Sequence, residues 1–180
     1  MRILGIDPGS RATGYGVVEQ RAGQLVHVAH GTLRPRGDSF ALRLNHLHET
    51  LREVIALHEP DVAAIEQVFV SGNARSALVL GEARGVLLSA LGSVGLVVHE
   101  YTASQVKQGV TGSGRAAKPQ VKAMVRRLLA LERLPASDAA DALAVAIRHA
   151  HGGRLESVGV APTRRRRRSS GLRVRVRPGR

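Results

Sequence analysis

Asp7, Glu66, Asp138 and Asp141 are the residues of this chain best suited to chemistry, because each sits among small or apolar neighbours. Asp7 closes the apolar run Ile3 to Ile6 and enters an Asp-Pro-Gly-Ser turn, while Glu66 ends the run Val62-Ala-Ala-Ile65. Asp138 and Asp141 lie three apart, which places them on one face of a helix whose other face carries Ala140, Leu143, Ala144 and Ile147. Burying a carboxylate is costly unless a cation or a proton compensates it. Each acid also has a bland account. Asp7 before Pro8 can initiate a turn, Glu66 can be a satisfied structural carboxylate, and an acid near a helix start is favoured by the helix dipole. The dipole accounts less well for two acids together. If strand ends and helix converge, two divalent ions would neutralise the cluster, and hard oxygen ligands favour Mg²⁺ or Mn²⁺ over zinc or copper. Such a site suits in-line phosphodiester hydrolysis without a covalent intermediate.

Basic groups form a second constellation. Lys118, Lys122 and Arg126 recur every four residues on one helix face, and Lys107 and Arg115 flank the loop Gly112-Ser113-Gly114. They read either as a solvated face or as a phosphate-contacting rim beside the acids. The glycine loop lacks the Gly-Lys-Ser/Thr ending of a nucleotide-binding P-loop. Phe69, just beyond Glu66, is either a core plug or a stacking wedge against an unpaired base. The histidines, among them His46, His48, His149 and His151, lack metal-site spacing and read as surface or packing residues.

The frame around these groups is a chain of 180 residues, long enough for one well-buried domain. It has no cysteine, which excludes disulfides, thiolate metal sites and thiol nucleophiles. The net charge is +13, and nine arginines between Arg164 and Arg180, with no acid among them, leave only +4 for residues 1–163. That segment is expected to stay extended; it either remains solvated or adds salt-sensitive attraction to phosphates. The start MRILGIDPGS has no secretory-leader pattern. The longest uncharged run, Gly85 to Val98, is too short to span a bilayer. A soluble cytoplasmic protein is therefore expected.

The acids must be held by elements that the apolar pattern predicts. Ile3 to Ile6 and Tyr15 to Val18 form a hairpin opening, and Gln24 to Leu33 is a third strand with Leu25, Val26, Val28 and Ala29 on its buried side. Leu44, Leu47, Leu51, Val54 and Ile55 mark a helix from Phe40 to His58, stopped before Pro60. Asp61 to Val68 is a buried strand, Asn73 to Leu91 a second helix and Gly95 to His99 a fifth strand. A third long helix covers Lys118 to Leu131, and a fourth begins near Pro135. Along the second helix Ala77, Gly81, Gly85 and Ser89 form a stripe of small residues. The stripe serves either packing against the chain's own sheet or a self-complementary dimer interface. The order βββαβαβα predicts an α/β fold, a mixed sheet with helices on its faces.

The stretches ILGIDPGSRATGYGVV, DVAAIEQVFVSGNARSALVLGEARG, VKQGVTGSGRAAKPQVKAMV and PASDAADALAVAIRHAH together resemble the RuvC-type Holliday-junction resolvases, members of the ribonuclease H-like nucleases. The resemblance spans about residues 1–152. It implies a ribonuclease H-like nuclease domain, set at 1–155, with a five-stranded mixed sheet; the arginine-rich segment over 156–180 lies outside the resemblance and is expected from its charge to be a disordered tail. The resemblance implies that Asp7, Glu66, Asp138 and Asp141 are the metal-binding catalytic acids, with two Mg²⁺ or Mn²⁺ ions per site. Lys107 and Lys118 match basic positions for binding and catalysis, and Phe69 matches an aromatic that disturbs base pairing at the crossover. Arg115 and Lys122 join them as expected DNA contacts. The resemblance further implies a homodimer that makes paired cuts in four-way junction DNA, in recombination and repair, together with the branch-migration proteins RuvA and RuvB. Two other readings compete: an actin-like or sugar-kinase nucleotide-binding domain, which would generally need a second related domain, and a non-catalytic nucleic-acid module, which leaves the four acids unexplained.

Overall fold

The computed structural model describes residues 1–68 and 73–157. Three antiparallel strands open the chain: β1 (Arg2–Asp7), β2 (Thr13–Arg21) and β3 (Gln24–Leu33). Helix α1 (Phe40–His58) follows; the Ser39 hydroxyl accepts from the Leu42 N–H at its start, and Glu59 closes it in the left-handed region just before Pro60. Then come β4 (Val62–Glu66), α2 (Ala74–Ser93), β5 (Val98–Tyr101), α3 (Ala103–Thr111), α4 (Lys118–Leu128) and α5 (Ser137–Ser157).

The five strands form one mixed sheet in the order β3-β2-β1-β4-β5. β1 pairs antiparallel with β2 but parallel with β4, which in turn pairs parallel with β5. Strand alternation sorts the core into two layers. Ile3, Val62 and Ala64 face α3, α4 and α5, whereas Leu4, Ile6, Ala63 and Ile65 face α1 and α2. Among the described residues no helix is long and apolar enough to cross a membrane.

Several expected boundaries move. The fifth strand is Val98–Tyr101 rather than Gly95 to His99, because Gly95 takes a positive φ and spends the preceding residues on a turn. The third long helix stops at Leu128, since Ala130 adopts a left-handed conformation that ends it short of Leu131. Pro135 precedes the last helix, which begins at Ser137. That helix continues to Ser157, and the arginine-rich segment lies outside the described residues. Val26 is 39% exposed rather than buried. The register shifts between Val17 and Val18, so Val17 faces Ala29 and Val18 faces His27, leaving Val28 as the extra residue. This bulge reverses the alternation along the strand. It also brings His27 Nε2 within 2.8 Å of His30 Nδ1.

His149 on α5 packs its ring against His99 and takes part in a hydrogen bond between Nδ1 and the Tyr101 hydroxyl at 2.8 Å. Burial, then His99 and Arg148, push its pKa down to about 4. Between pH 6.5 and 4 the unfolded chain therefore takes up a proton that the folded imidazole refuses. Stability is expected to fall as pH drops across that window, and His149→Asn should flatten the dependence of melting temperature on pH. Equal slopes for the two proteins would remove His149 as the cause.

Candidate active site

Asp7 and Glu66 end neighbouring parallel strands. Ile6 lies beside Ile65, so the next residue on each strand, Asp7 and Glu66, stand side by side at the carboxyl edge of the sheet. Alternation turns both toward the layer of α3, α4 and α5, because Ile3 and Ala64 on the same strands and of the same parity face that way.

Helix α5 brings the second pair. It crosses β1 and β2 over Gly5, Gly14 and Gly16, at each of which a Cβ would collide with α5. At Gly14 the collision is with the backbone carbonyl of Asp138, and Gly14 is the register partner of Asp7. A missing side chain on β2 thus sets how near the first turn of α5 comes to the edge that carries Asp7 and Glu66. Asp138 sits in that first turn, where the positive end of the helix dipole favours an anion.

Two further helices add cations. A capping box starts α3: the Thr102 hydroxyl accepts from the Gln105 N–H while the Gln105 side chain accepts from the Thr102 N–H. One turn on, Lys107 lines the acidic pocket. Lys118 opens α4, where Pro119 suits the first turn and presets the backbone. Its ammonium donates to Asp141 Oδ2 at 2.6 Å. Asp7, Glu66, Asp141, Lys107 and Lys118 line a pocket of about 270 Å³, with Val106, Val121 and Ala144 among its apolar walls.

The charges do not balance. The Asp7 carboxyl is pushed up to about 7, first by burial and then by Glu66 and Asp141, with Lys118 opposing. The Glu66 carboxyl is raised as well, by burial first and then by Asp141, against the pull of Lys118 and Lys107. Asp138 acts on Asp7 in the same sense but does not line the pocket itself. An all-oxygen donor set with surplus negative charge, partly out of water, fits a hard divalent cation. Among the described residues no three carboxylates form a ready-made cage, and the Lys118 ammonium occupies the place of a cation beside Asp141.

The profile of the family described as "Crossover junction endodeoxyribonuclease RuvC" matches residues 3–149. The chain belongs to the RuvC family. A relative of that name from Janthinobacterium sp. (strain Marseille) is 51% identical over 177 residues, covering 97% of each chain. Another from Ralstonia nicotianae is 52% identical over 178 residues, again covering 97% of each. Among solved structures, "T. thermophilus RuvC in complex with Holliday junction substrate" superposes with a TM-score of 0.81 at 34% identity, covering 87% of this chain and 97% of that one. The five-stranded mixed sheet with helices on both faces is accordingly the ribonuclease H-like fold.

Within this member of the RuvC family the expected basic rim divides. Lys107 and Lys118 join the acids, whereas Arg115 lines a separate hollow with Ser113, Gln120 and Arg127 on the far side of α4. Lys122 is half-buried and lines neither. Phe69 lies outside the described residues. Helix α3 escaped the sequence pattern, although Thr102 and Gln105 at capping-box spacing signal its start. With it were missed Ala103 and Val106, which wall the pocket.

Proposed function

We infer that this chain is a structure-selective endodeoxyribonuclease that resolves four-way DNA junctions by paired nicks. The observation that carries the reading is the meeting of Asp7 and Glu66 on adjacent strand ends with Asp141 of α5, in a pocket edged by Lys107 and Lys118. Membership of the RuvC family and the likeness to T. thermophilus RuvC bound to its Holliday junction substrate supply the substrate class.

Asp7, Glu66, Asp138 and Asp141 are the residues that would hold two Mg²⁺ or Mn²⁺ ions. Such ions would supply activation of an attacking water and charge stabilisation at the leaving oxygen. The protein's own groups prepare the rest. Asp7 and Glu66, raised by burial and mutual repulsion, are poised to accept compensating positive charge. Lys118, 60% exposed and tied to Asp141, would be free to hold a backbone phosphate once Asp141 had a cation for a partner. Lys107 offers a second cation on the same rim. Phe69 remains the proposed wedge at the crossover, and Arg115 and Lys122 remain proposed contacts to more distant phosphates. RuvA and RuvB are the proposed branch-migration partners. The proposed nuclease domain is residues 1–155, with 156–180 as a basic tail that adds sequence-blind attraction.

Paired nicks need two sites, and α2 offers the dimer surface. It buries Ala83, Leu87, Ala90 and Leu91 against the core, while Gly81, Gly85 and Ser89 are exposed. A Cβ at Gly81, Gly85 or Gly92 would meet nothing within 4 Å. The stripe therefore does not pack on the chain's own sheet, which favours a second copy as its partner. Gly85→Leu is expected to fold normally, sediment as a monomer and nick one strand without the paired second cut. A dimeric Gly85→Leu protein would move the interface elsewhere.

The overall reading is tested on a synthetic mobile four-way junction beside a linear duplex of the same sequences, with Mg²⁺ or Mn²⁺ and with chelator. Symmetric, ligatable nicks on the junction alone, lost with chelator, are expected. Equal cutting of both substrates would make the protein a general nuclease.

A further inference from the structure

A second recess, of about 610 Å³, opens at the same end of the sheet as the acidic pocket but against the opposite face. Its walls are the loop after β1, the loop after β3 and the N-terminal halves of α1 and α2. Arg11, Arg43 and Arg75 line it, with Glu82 as the one acid among the lining residues. None of the three arginines forms an ion pair among the described residues. The Arg43 guanidinium lies over the Phe40 ring, 5.7 Å from its centroid, and donates to the Gly37 carbonyl at 3.3 Å, which holds it at the rim. The floor is apolar, built from the buried Leu47 and Ala83, while Leu78, 63% exposed, stands at the rim.

Guanidiniums without a carboxylate partner around an apolar hollow suit a ligand that is anionic at one end and flat and apolar at the other. Guanidinium pairs with phosphate in fork geometry and also stacks on planar rings, and a nucleotide presents both features. The place narrows the choice further. Ser10 and Arg11 continue the turn that begins at Asp7, so the recess lies within about 14 Å of chain from that carboxylate. Arg75 stands in the first turn of the helix that follows Glu66. The loop leaving one acid-bearing strand and the helix that follows the other therefore both contribute to this second recess. A strand held at the acids reaches it by passing over the end of β1.

We propose that the recess bounded by Arg11, Arg43 and Arg75 receives an unstacked nucleotide of the cut strand, next to the cleaved bond, and that base preference is exercised there. The proposal rests on the junction-resolving reading above and adds a subsite to it.

The test uses four-way junctions carrying 2-aminopurine at single positions on either side of the cut, bound by the full chain in the presence of chelator. Fluorescence is expected to rise several-fold at one position, as the base leaves the stack. Arg43→Ala, and Leu78→Trp to fill the recess, should each abolish the rise. With Mg²⁺ restored, the ratio of cutting rates between favoured and disfavoured sequences should fall about fivefold to tenfold, and the junction should still be bound. An unchanged rise in both variants would overturn the proposal. So would conversion of both to monomers in sedimentation, since the recess would then be covered by a second copy of the chain. If the unsubstituted protein does not bind the junction at all, the underlying reading fails and takes the subsite with it.

Discussion

Asp7→Asn is expected to lower the single-turnover rate of junction cleavage by about three orders of magnitude or more while leaving junction affinity nearly unchanged. The amide keeps the shape of the carboxylate but not its charge, and charge is what would hold an ion beside Glu66. The same change should make the protein more resistant to heat in the absence of divalent metal. The Asp7 carboxylate is pushed up to about 7 by burial, Glu66 and Asp141, which means its ionised form works against the fold. An uncharged amide escapes that repulsion. Loss of cutting together with a higher melting temperature would identify Asp7 as a group kept for chemistry at a cost in stability. A variant that still cuts, or one that melts lower and no longer binds, would remove Asp7 from the assigned role.

Gly14→Ala is expected to be the most damaging one-carbon change away from the acids themselves. Its Cβ would collide with the carbonyl and backbone of Asp138, and backbone atoms of a strand and a packed helix cannot turn aside as a side chain can. The helix must shift. Overpacking of this kind costs about 1–3 kcal/mol, and displacement of a catalytic group by roughly 1 Å costs about a hundredfold in rate. Single-turnover cleavage should therefore fall by about that factor, with junction binding retained at a temperature where the variant is folded. Equal rates for Gly14→Ala and the unsubstituted chain would show that the approach of α5 to β2 does not set the position of Asp138.

The acids were legible because burial makes them anomalous. A glutamate ending Val62-Ala-Ala-Ile65 or an aspartate ending Ile3 to Ile6 has a cost that apolar patterning alone exposes. The long helices were legible from their period, α1 from Leu47, Leu51, Val54 and Ile55, which the fold buries. Helix α3 was not, because nine residues burying only Val106 and Val110 offer too short a pattern to read. Val26 was misplaced for a different reason. A bulge depends on which residue of β2 faces which residue of β3, and strict alternation along one strand carries no trace of that partner.

The order of acids, glycines and apolar runs determined that a mixed sheet would present two carboxylates at strand ends and two more on a late helix. Local chemistry suffices for that, since alternation, helical period and the cost of buried charge are all properties of neighbours in the chain. Tertiary structure alone decided that β1 and β4 lie side by side, that three glycines admit α5 close enough to bring its acids to Asp7, and that Lys118 reaches Asp141. It also separated Arg115 from the acidic pocket and set three arginines around a recess on the other face of the sheet. These are contacts between residues far apart in sequence, and they arise from close packing of whole elements, which no window along the chain contains.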